Sequence, residues 1–216
     1  MKKMLPLIAL GVAVGLMGLW SLAGYLPVRG IETPKYEVVA KHKGYEIRRY
    51  APYIVAEVTE KGGYRETQNQ GFRDVAGYIF GGNKAKASIP MTAPVLHEPE
   101  GKSEKIAMTA PVIHERGGEP HVYKLAFVMP SKYKLETLPA PNNPNVTLRQ
   151  VPAKKYAAVR FRGYAPEKTV ARKAEWLLDR LKADGIQATG VPFVAQYHPP
   201  WTPPFMRRNE ILVEVN

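Results

Sequence analysis

The chain has 216 residues and a formal net charge of +12 at pH 7, and it contains no cysteine. The missing thiols exclude a disulfide scaffold, a thiolate metal site, a cysteine nucleophile and a cysteine-attached haem or iron–sulfur cluster. The length suits one domain or two small ones. The basic excess favours an anionic partner, which leaves nucleic acid, acidic lipid or a small ligand with carboxylates or phosphates.

An uncharged apolar run from Met4 to Val28 follows Lys2 and Lys3 at the amino terminus. It exceeds the roughly 20 residues that cross a bilayer as a helix. Two interpretations stay open, an uncleaved membrane anchor or a secretory signal cleaved after Ala23. Both predict a domain outside the cytoplasm, membrane-anchored or exported (periplasmic in a bacterium), because the lysine pair favours a cytoplasmic start. We therefore expect residues 1–29 to be the anchor or signal, residues 30–216 to be the domain, and nucleic acid not to be a partner.

The remainder of the chain reads as short strands separated by turn residues. Alternating apolar and polar residues, clearest in residues 122–129, indicate an antiparallel sheet with one buried face. The predicted strands are Tyr36–Ala40, Tyr45–Tyr50, Tyr53–Thr59, Val122–Met129, Val146–Val151, Tyr156–Phe161, Phe193–Tyr197 and Glu210–Val215.

Two stretches have helical periodicity, Tyr64–Phe80 and a second that begins at Pro166 and ends before Gly185. Gly71 and Gly77 interrupt the first and each weakens it by up to about 1 kcal/mol relative to alanine. Their presence indicates that either a strand or a flat ligand approaches the helix backbone closely.

The two halves of the chain resemble each other. Residues 47–58 and 148–161 both contain a strand, a proline and a second strand, and both precede a helix. A duplicated β-α-β-β-type unit of this kind predicts an α+β fold, with one curved sheet or barrel and two helices packed outside it. A parallel Rossmann sheet is not expected.

A tighter repeat occurs between them, since Ile89–Glu98 returns as Ile106–Glu115 after 17 residues. This spacing predicts two adjacent strands joined by residues 99–105. Pro94 and Pro111 lack an N–H for a β-ladder, so we expect these strands to be short, irregular or at a sheet edge.

The tandem Met-Thr-Ala-Pro-Val motif resembles the SOUL haem-binding protein family. So do Gly71-Phe72-Arg73, residues 78–83, the Tyr45–Tyr50 segment and the Phe205–Glu210 segment, and the likeness extends from Tyr36 to Val215. It implies a distorted antiparallel β-barrel with two flanking α-helices, a fold also found in bacterial effector-binding domains. It also implies non-covalent binding of haem or a related tetrapyrrole.

A tetrapyrrole site needs a broad apolar face, with cations at one edge for the propionates. The resemblance implies a pocket between the first helix and the carboxy-terminal loop that contains the segment 198–205. The candidate binding residues are Phe72, Val75, Ala76, Ile79, His198, Trp201, Phe205, Arg207 and Arg208. The alternative also stays open, with Phe72 and Ile79 as ordinary core and the arginines in an ion pair with Glu210.

An axial iron ligand is not evident. Where some family members carry a histidine, this chain has Arg49, which does not ligate iron. His198 is the best-placed substitute, ahead of three other possible donors: His42, Met91 and Met108. We therefore expect weak or pentacoordinate binding, or binding with no ligand from the protein.

Other classes of function lack motifs. His97-Glu98 and His114-Glu115 recur in the repeat and include zinc-binding residue types, but exposed strand ends are the far more common explanation of such a pattern, and we predict no metal site. No catalytic or phosphate-binding motif is present, so we do not predict an enzyme. Lysines and arginines are scattered along the chain, whereas a nucleic-acid-binding surface usually has them clustered. No obligate protein partner is inferred.

The sequence thus favours a membrane-anchored or exported tetrapyrrole-binding protein, serving as carrier, buffer or sensor. One alternative is an enzyme or effector-binding domain that acts on another small apolar ligand on the same fold. Another is a membrane-surface module that uses the basic charge.

Overall fold

The computed structural model describes residues 4–84, 104–117 and 121–216. The first copy of the tandem motif, with Met91 and His97, lies outside the described residues. The prediction that the two copies form neighbouring strands therefore stays a prediction.

Three helices and eleven strands make up the described chain. The helices are α1 (Met4–Tyr25), α2 (Tyr64–Ile79) and α3 (Glu167–Ala183). The strands are β1 (Tyr36–His42), β2 (Tyr45–Tyr50), β3 (Tyr53–Lys61), β4 (Asn83–Lys84), β5 (Val112–Arg116), β6 (Val122–Val128), β7 (Ala140–Pro141), β8 (Thr147–Val151), β9 (Lys154–Phe161), β10 (Phe193–Gln196) and β11 (Asn209–Glu214).

Nine of these strands form one curled antiparallel sheet, in the order β1-β2-β9-β11-β10-β5-β6-β3-β8. From β2 to β8 the order is symmetric about the β10–β5 pair, with β2, β3, β5 and β6 of one half matching β8, β9, β10 and β11 of the other. The first strand of each half pairs with the second strand of the other half, β2 with β9 and β8 with β3. This half-barrel confirms the predicted α+β fold built from a duplicated unit.

Both α2 and α3 pack on the same face of the sheet, which we call the helix face. Leu177 and Leu181 of α3 are buried against Ile211 and Val213 of β11. Each such fully buried aliphatic side chain contributes about 1.5–3 kcal/mol relative to its exposed state. The apolar stripes that predict the two helices therefore also attach them to the sheet.

Gly71 explains how α2 approaches the sheet so closely. A Cβ atom there would lie 3.0 Å from Leu125 Cβ and 3.1 Å from Val58 Cγ2. At Gly77 a Cβ would meet nothing within 4 Å. Strand packing therefore accounts for the first helix glycine and not for the second.

The opposite face of the sheet is concave and rich in tyrosine. Residues 31–35, which precede β1, cross this concave face, with the Ala110 N–H donating to Glu32 O at 3.0 Å and the Ala51 N–H to Lys35 O at 3.0 Å. Ile31 packs against the buried cluster that includes Tyr50 and Tyr156. Residues 31–35, between α1 and the sheet, are thus an integral part of the domain.

The second copy of the tandem motif forms β5, which is short, as expected. It lies inside the sheet between β10 and β6 and not at an edge. The physical reason is that Pro111 precedes the strand, so its missing N–H is outside the ladder.

The α1 helix projects from the domain. Within the described residues it is the one helix long and apolar enough to cross a membrane, over Gly11–Val28, and only 6% of that window is buried. Near its carboxy-terminal end, Trp20 Nε1 donates a hydrogen bond to Trp201 O at 2.8 Å.

Candidate functional site

One hydrogen bond joins α2 to the last residue of β10, the strand that leads into the loop implied by the resemblance. Gln68 Nε2 donates to Gln196 Oε1 at 3.0 Å, and Gln196 ends β10. Phe72 lies one helical turn after Gln68 on the same side of α2. We call residues 197–208, which connect β10 to β11, the C-terminal loop.

Phe72 is the exposed member of the predicted α2 set. It presents 40% of its surface to solvent, while its ring lies 5.4 Å from that of Phe127. Val75 and Ile79 are 0% and 1% exposed and belong to the core beneath the helix, and Ala76 is 8% exposed. A ligand on the outer surface of α2 would meet Phe72 and not Val75 or Ile79.

The C-terminal loop presents two further aromatic residues of the predicted set, Trp201 and Phe205, which are about half exposed. Arg207 holds the loop in shape, because its Nε donates to Thr202 O at 2.7 Å and its Nη2 donates to Pro200 O. Its guanidinium also lies 4.3 Å from the centre of the Tyr164 ring.

Arg208 points to the concave face, away from Arg207. Its Nε and Nη2 donate to Glu210 Oε1 at 3.0 and 2.8 Å, and its guanidinium lies 4.0 Å from the Tyr197 ring centre. Consecutive residues in extended chain alternate between faces. The structure therefore does not bring the two predicted arginines together, and Arg208 has the ion pair with Glu210 that the sequence left open.

His198 is half-buried beside these arginines. Its Nδ1 accepts a hydrogen bond from the Arg208 backbone N–H at 3.2 Å. Burial, with the nearby Arg208 and Arg160, lowers the pKa of His198. The ring is thus neutral at pH 7 with its proton on Nε2, whereas an iron ligand needs a free lone pair at that nitrogen. His198 fits an axial ligand poorly in this arrangement.

Two other possible donors, His42 and Met108, lie within the described residues. His42 is paired with Asp184 at 3.2 Å and stacks on Tyr45, where the β1–β2 turn meets the end of α3. Met108 is 38% exposed and lies two residues after Ile106, whose N–H donates to Ile79 O at the end of α2. Of the predicted residues on α2, Phe72 is the one that offers exposed apolar surface to a ligand.

The concave face contains a buried ionic network around Glu210, in which sequence reasoning missed Arg48 and Tyr197. Glu210 is 0% exposed, and its Oε2 accepts from Arg48 Nη1 at 2.9 Å and from the Tyr197 hydroxyl at 2.8 Å. Burial alone would raise the pKa of Glu210, but Arg48 and Arg208 outweigh it and hold the pKa below its usual value. Arg48 of β2 reaches Glu210 of β11 across the strand between them, β9. The small side chain of Ala158 on β9 leaves room for this contact.

Two adjoining cavities open on this side of the domain, and Tyr197 of the network lines the smaller one. The smaller, about 20 Å³, is walled by aromatic rings that include Tyr50, Tyr156 and Phe193. The larger, about 370 Å³, extends beneath residues 32–35 and along residues 128–136. Tyr53 and Pro34 line both cavities, and the larger one has the size of a site for a small ligand.

The metal hypothesis for the second motif copy meets a geometric obstacle. His114 faces α2 between Tyr64 and Tyr123, while Glu115, the next residue in the strand, faces the concave side. Across residues 4–84, 104–117 and 121–216, no group of three or more histidine, aspartate or glutamate residues is placed to hold a metal ion. His97 and Glu98 lie outside that range.

Solved structures share this frame, a duplicated half-barrel with two helices on one face. The EcmrR C-terminal domain is similar with a TM-score of 0.55 and 12% identity, over 84% of this chain and 98% of that one. A hydrolase from Listeria innocua is similar with a TM-score of 0.51 and 10% identity, over 82% of this chain and 94% of that one. Likeness at these identities shows the fold alone.

The family assignment comes from the sequence. Residues 31–102 and 96–214 match the SOUL heme-binding protein family, so the two matches together cover nearly the whole domain. The chain belongs to this family, which confirms the resemblance. No curated protein sequence matches the chain.

Proposed function

We propose that the protein binds haem or a related tetrapyrrole non-covalently, as a carrier, buffer or sensor. Membership of a haem-binding family over residues 31–214 supports the ligand class in general. The observation that carries the location is Phe72, an exposed aromatic residue on a helix whose neighbouring apolar residues are buried in the core. We propose that Phe72 forms one binding surface with His198, Trp201 and Phe205, and we call it the helix–loop surface.

Apolar contact supplies most of the affinity in this proposal. Covering the exposed part of Phe72 contributes on the order of 1 kcal/mol. A micromolar complex requires about 8 kcal/mol, so the greater share has to come from the ligand's own apolar faces. Arg207 is the cation of the predicted set that lies on the loop side, and it would meet a propionate only with donor capacity not used by Thr202 and Pro200.

In this proposal the iron contributes little to the affinity for haem. Bound haem would supply redox and gas-binding chemistry, whereas the chain would supply an apolar platform and a neutral His198 that already accepts a hydrogen bond. Haemin and metal-free protoporphyrin IX should therefore bind residues 30–216 with affinities within a few-fold of each other. A haemin affinity more than tenfold higher would show that a protein ligand reaches the iron.

A haemin titration of residues 30–216, followed by its Soret absorption, tests the function. We expect a saturable shift that Phe72→Glu weakens at least tenfold. Val191→Glu is the matched control, because Val191 is 52% exposed and lies beyond Gly190, which contacts Glu214 at the far end of β11. Ile79→Glu is unsuitable, since it would place a charge in the core. No saturable shift, and no protection from unfolding, would reject the proposal.

The concave cavity supports a second candidate, an effector-binding or enzymatic role toward another small apolar ligand. The specific observation is a 370 Å³ space next to a smaller aromatic cavity whose lining includes Tyr197, a hydrogen-bond partner of the buried Glu210. The pKa of Glu210 is held low and its two oxygens already accept bonds from Arg48, Arg208 and Tyr197, which favours binding over proton transfer. In the same titration, loss of binding in Tyr53→Ala with retention in Phe72→Glu would place the ligand in this cavity.

Residues 1–29 are proposed as a membrane anchor, with the domain outside the cytoplasm. The length and exposure of α1 support this location. Resistance of the full chain to alkaline extraction from membranes, with an intact mass, is the expected result. A mature mass that begins after Ala23 would show a cleaved signal instead.

A further inference from the structure

The outer end of α1 is built into the C-terminal loop. Besides the hydrogen bond from Trp20 to Trp201, the buried Gly24 leaves room for the loop, since a Cβ there would lie 2.8 Å from Pro203 Cδ and 3.0 Å from Thr202 Cγ2. Thr202 itself is 0% exposed. The C-terminal loop is therefore fixed beside residues 20–24 of α1, and its position along the axis of the helix is set.

The contact between Trp20 and Trp201 would lie close to the outer boundary of a bilayer that α1 crosses. The 22 residues of α1 extend about 33 Å, against about 30 Å for the hydrocarbon core of a bilayer. Trp20 lies five residues before Tyr25, hence about 8 Å from the outer end of the helix. With α1 centred on the hydrocarbon core, Trp20 and the Trp201 carbonyl that accepts from it would lie about 6 Å inside the outer edge of the core, a depth that interfacial apolar elements also reach.

Three exposed aromatic residues of the domain lie beside this contact. Trp201, Phe205 and Tyr164, which we call the aromatic patch, are each at least half exposed. The patch is one connected surface, because the Gly163 N–H donates to Pro204 O at 3.0 Å and Arg207 lies over Tyr164. Tryptophan and tyrosine are enriched where proteins meet the headgroup region of a membrane.

The charge near the patch suits the same partner. Arg29, at the end of the apolar run, and Arg162, two residues before Tyr164, are both exposed. Lys2, Lys3 and Arg29 account for three of the +12, so residues 30–216 carry +9. A cationic surface near anionic headgroups contributes about 1 kcal/mol for each lysine or arginine at the membrane surface.

We propose that the aromatic patch rests in the interface of the bilayer that α1 enters, and that the lipid surface is its partner. The domain is then held with the C-terminal loop on the membrane, not suspended above it on a linker. This docking uses the anchor proposed above but not the tetrapyrrole, so a failed haemin titration leaves it standing. Where both hold, the helix–loop surface lies at the membrane edge and receives its ligand from lipid.

The absence of native cysteine makes a site-specific depth measurement possible. Phe205→Cys and Val191→Cys would each be introduced into the full chain, labelled with a nitroxide and reconstituted into phosphatidylcholine vesicles containing phosphatidylglycerol. The two positions are equally exposed, at 50% and 52%. We expect the ratio of oxygen to nickel-chelate accessibility to be several-fold higher at 205 than at 191.

Equal ratios at the two positions would overturn the proposal, as would release of the chain from the vesicles at alkaline pH. A second variant separates docking by the patch from simple proximity imposed by α1. Trp201→Glu keeps the backbone carbonyl that accepts from Trp20 but makes the patch polar. It should move the 205 label toward water, and an unchanged depth would show that the patch does not hold the domain down.

Discussion

Acid should destabilise the domain through one buried histidine, His114 of β5. Its side chain is 4% exposed, and neither ring nitrogen has a hydrogen-bond partner among the described residues. The ring lies between those of Tyr64 and Tyr123, at centroid distances of 4.7 and 5.0 Å. Burial lowers the pKa of His114 from 6.5 to about 4, although the charge of Glu167 acts in the opposite direction.

The direction of the effect follows from proton binding. Between pH 6.5 and about 4 the unfolded chain protonates this histidine and the folded chain does not, so the free energy of unfolding falls as the pH falls. Each pH unit corresponds to about 1.4 kcal/mol, which gives a loss on the order of 3 kcal/mol at pH 4. Above pH 6.5 this contribution is fully present.

Urea unfolding of residues 30–216, followed by circular dichroism from pH 7 to 4, measures the loss. His114→Phe retains an aromatic ring between the two tyrosines and removes the titrating group, so its stability should fall by about 3 kcal/mol less over this range. His121→Asn is the control, because His121 is exposed and asparagine tolerates its φ of 59°. Equal losses in wild type and His114→Phe would refute the reasoning.

Three further outcomes are expected. Glu210→Gln leaves two arginines without their buried carboxylate and should cost about 3–5 kcal/mol in urea unfolding at pH 7, and an unchanged midpoint would contradict the ionic network. Gly71→Ala should lower the melting temperature because its Cβ would crowd Leu125, whereas Gly77→Ala, with open space, should stabilise by up to about 1 kcal/mol. His198→Ala should leave the Soret position of bound haemin unchanged, and a displaced band would identify His198 as an iron ligand.

Local patterns predicted the elements of this fold well. The Tyr45–Tyr50 strand has the predicted bounds, and α2 ends one residue before the predicted Phe80. Pro166 caps α3 and is not its first residue, a shift that follows from its extended ψ of 157°. The strand order was not predictable, because pairing joins residues far apart in sequence and local periodicity contains no information about the neighbour.

The site was harder to predict, for a physical reason visible on α2. Val75 and Ile79 have the helical spacing that predicted them as binding residues. Burial of a helix against a sheet produces that spacing as readily as contact with a ligand does. Strand alternation does contain a signal that was missed, since it separates Arg207 from Arg208 and puts Arg48 on the same face as Tyr50. The bond from Arg48 to Glu210 spans 162 positions and has no local signature.

The symmetric strand order relates the two ends of a groove along the concave face, and these ends differ in their side chains. The register of β9 with β11 and of β3 with β6 places Glu210 and Ala126 at corresponding positions of the two halves. At one end of the groove the fully buried Glu210 accepts bonds from Arg48 and Arg208. At the other end the carboxylate belongs to Glu57 of β3, which pairs with Arg149 at 2.7 Å, is partly exposed and lies on the same face as Val55. Duplication thus built two related cradles whose carboxylates lie on different strands and at different depths, so a charged ligand lying along the groove would meet a different arrangement of charges at each end.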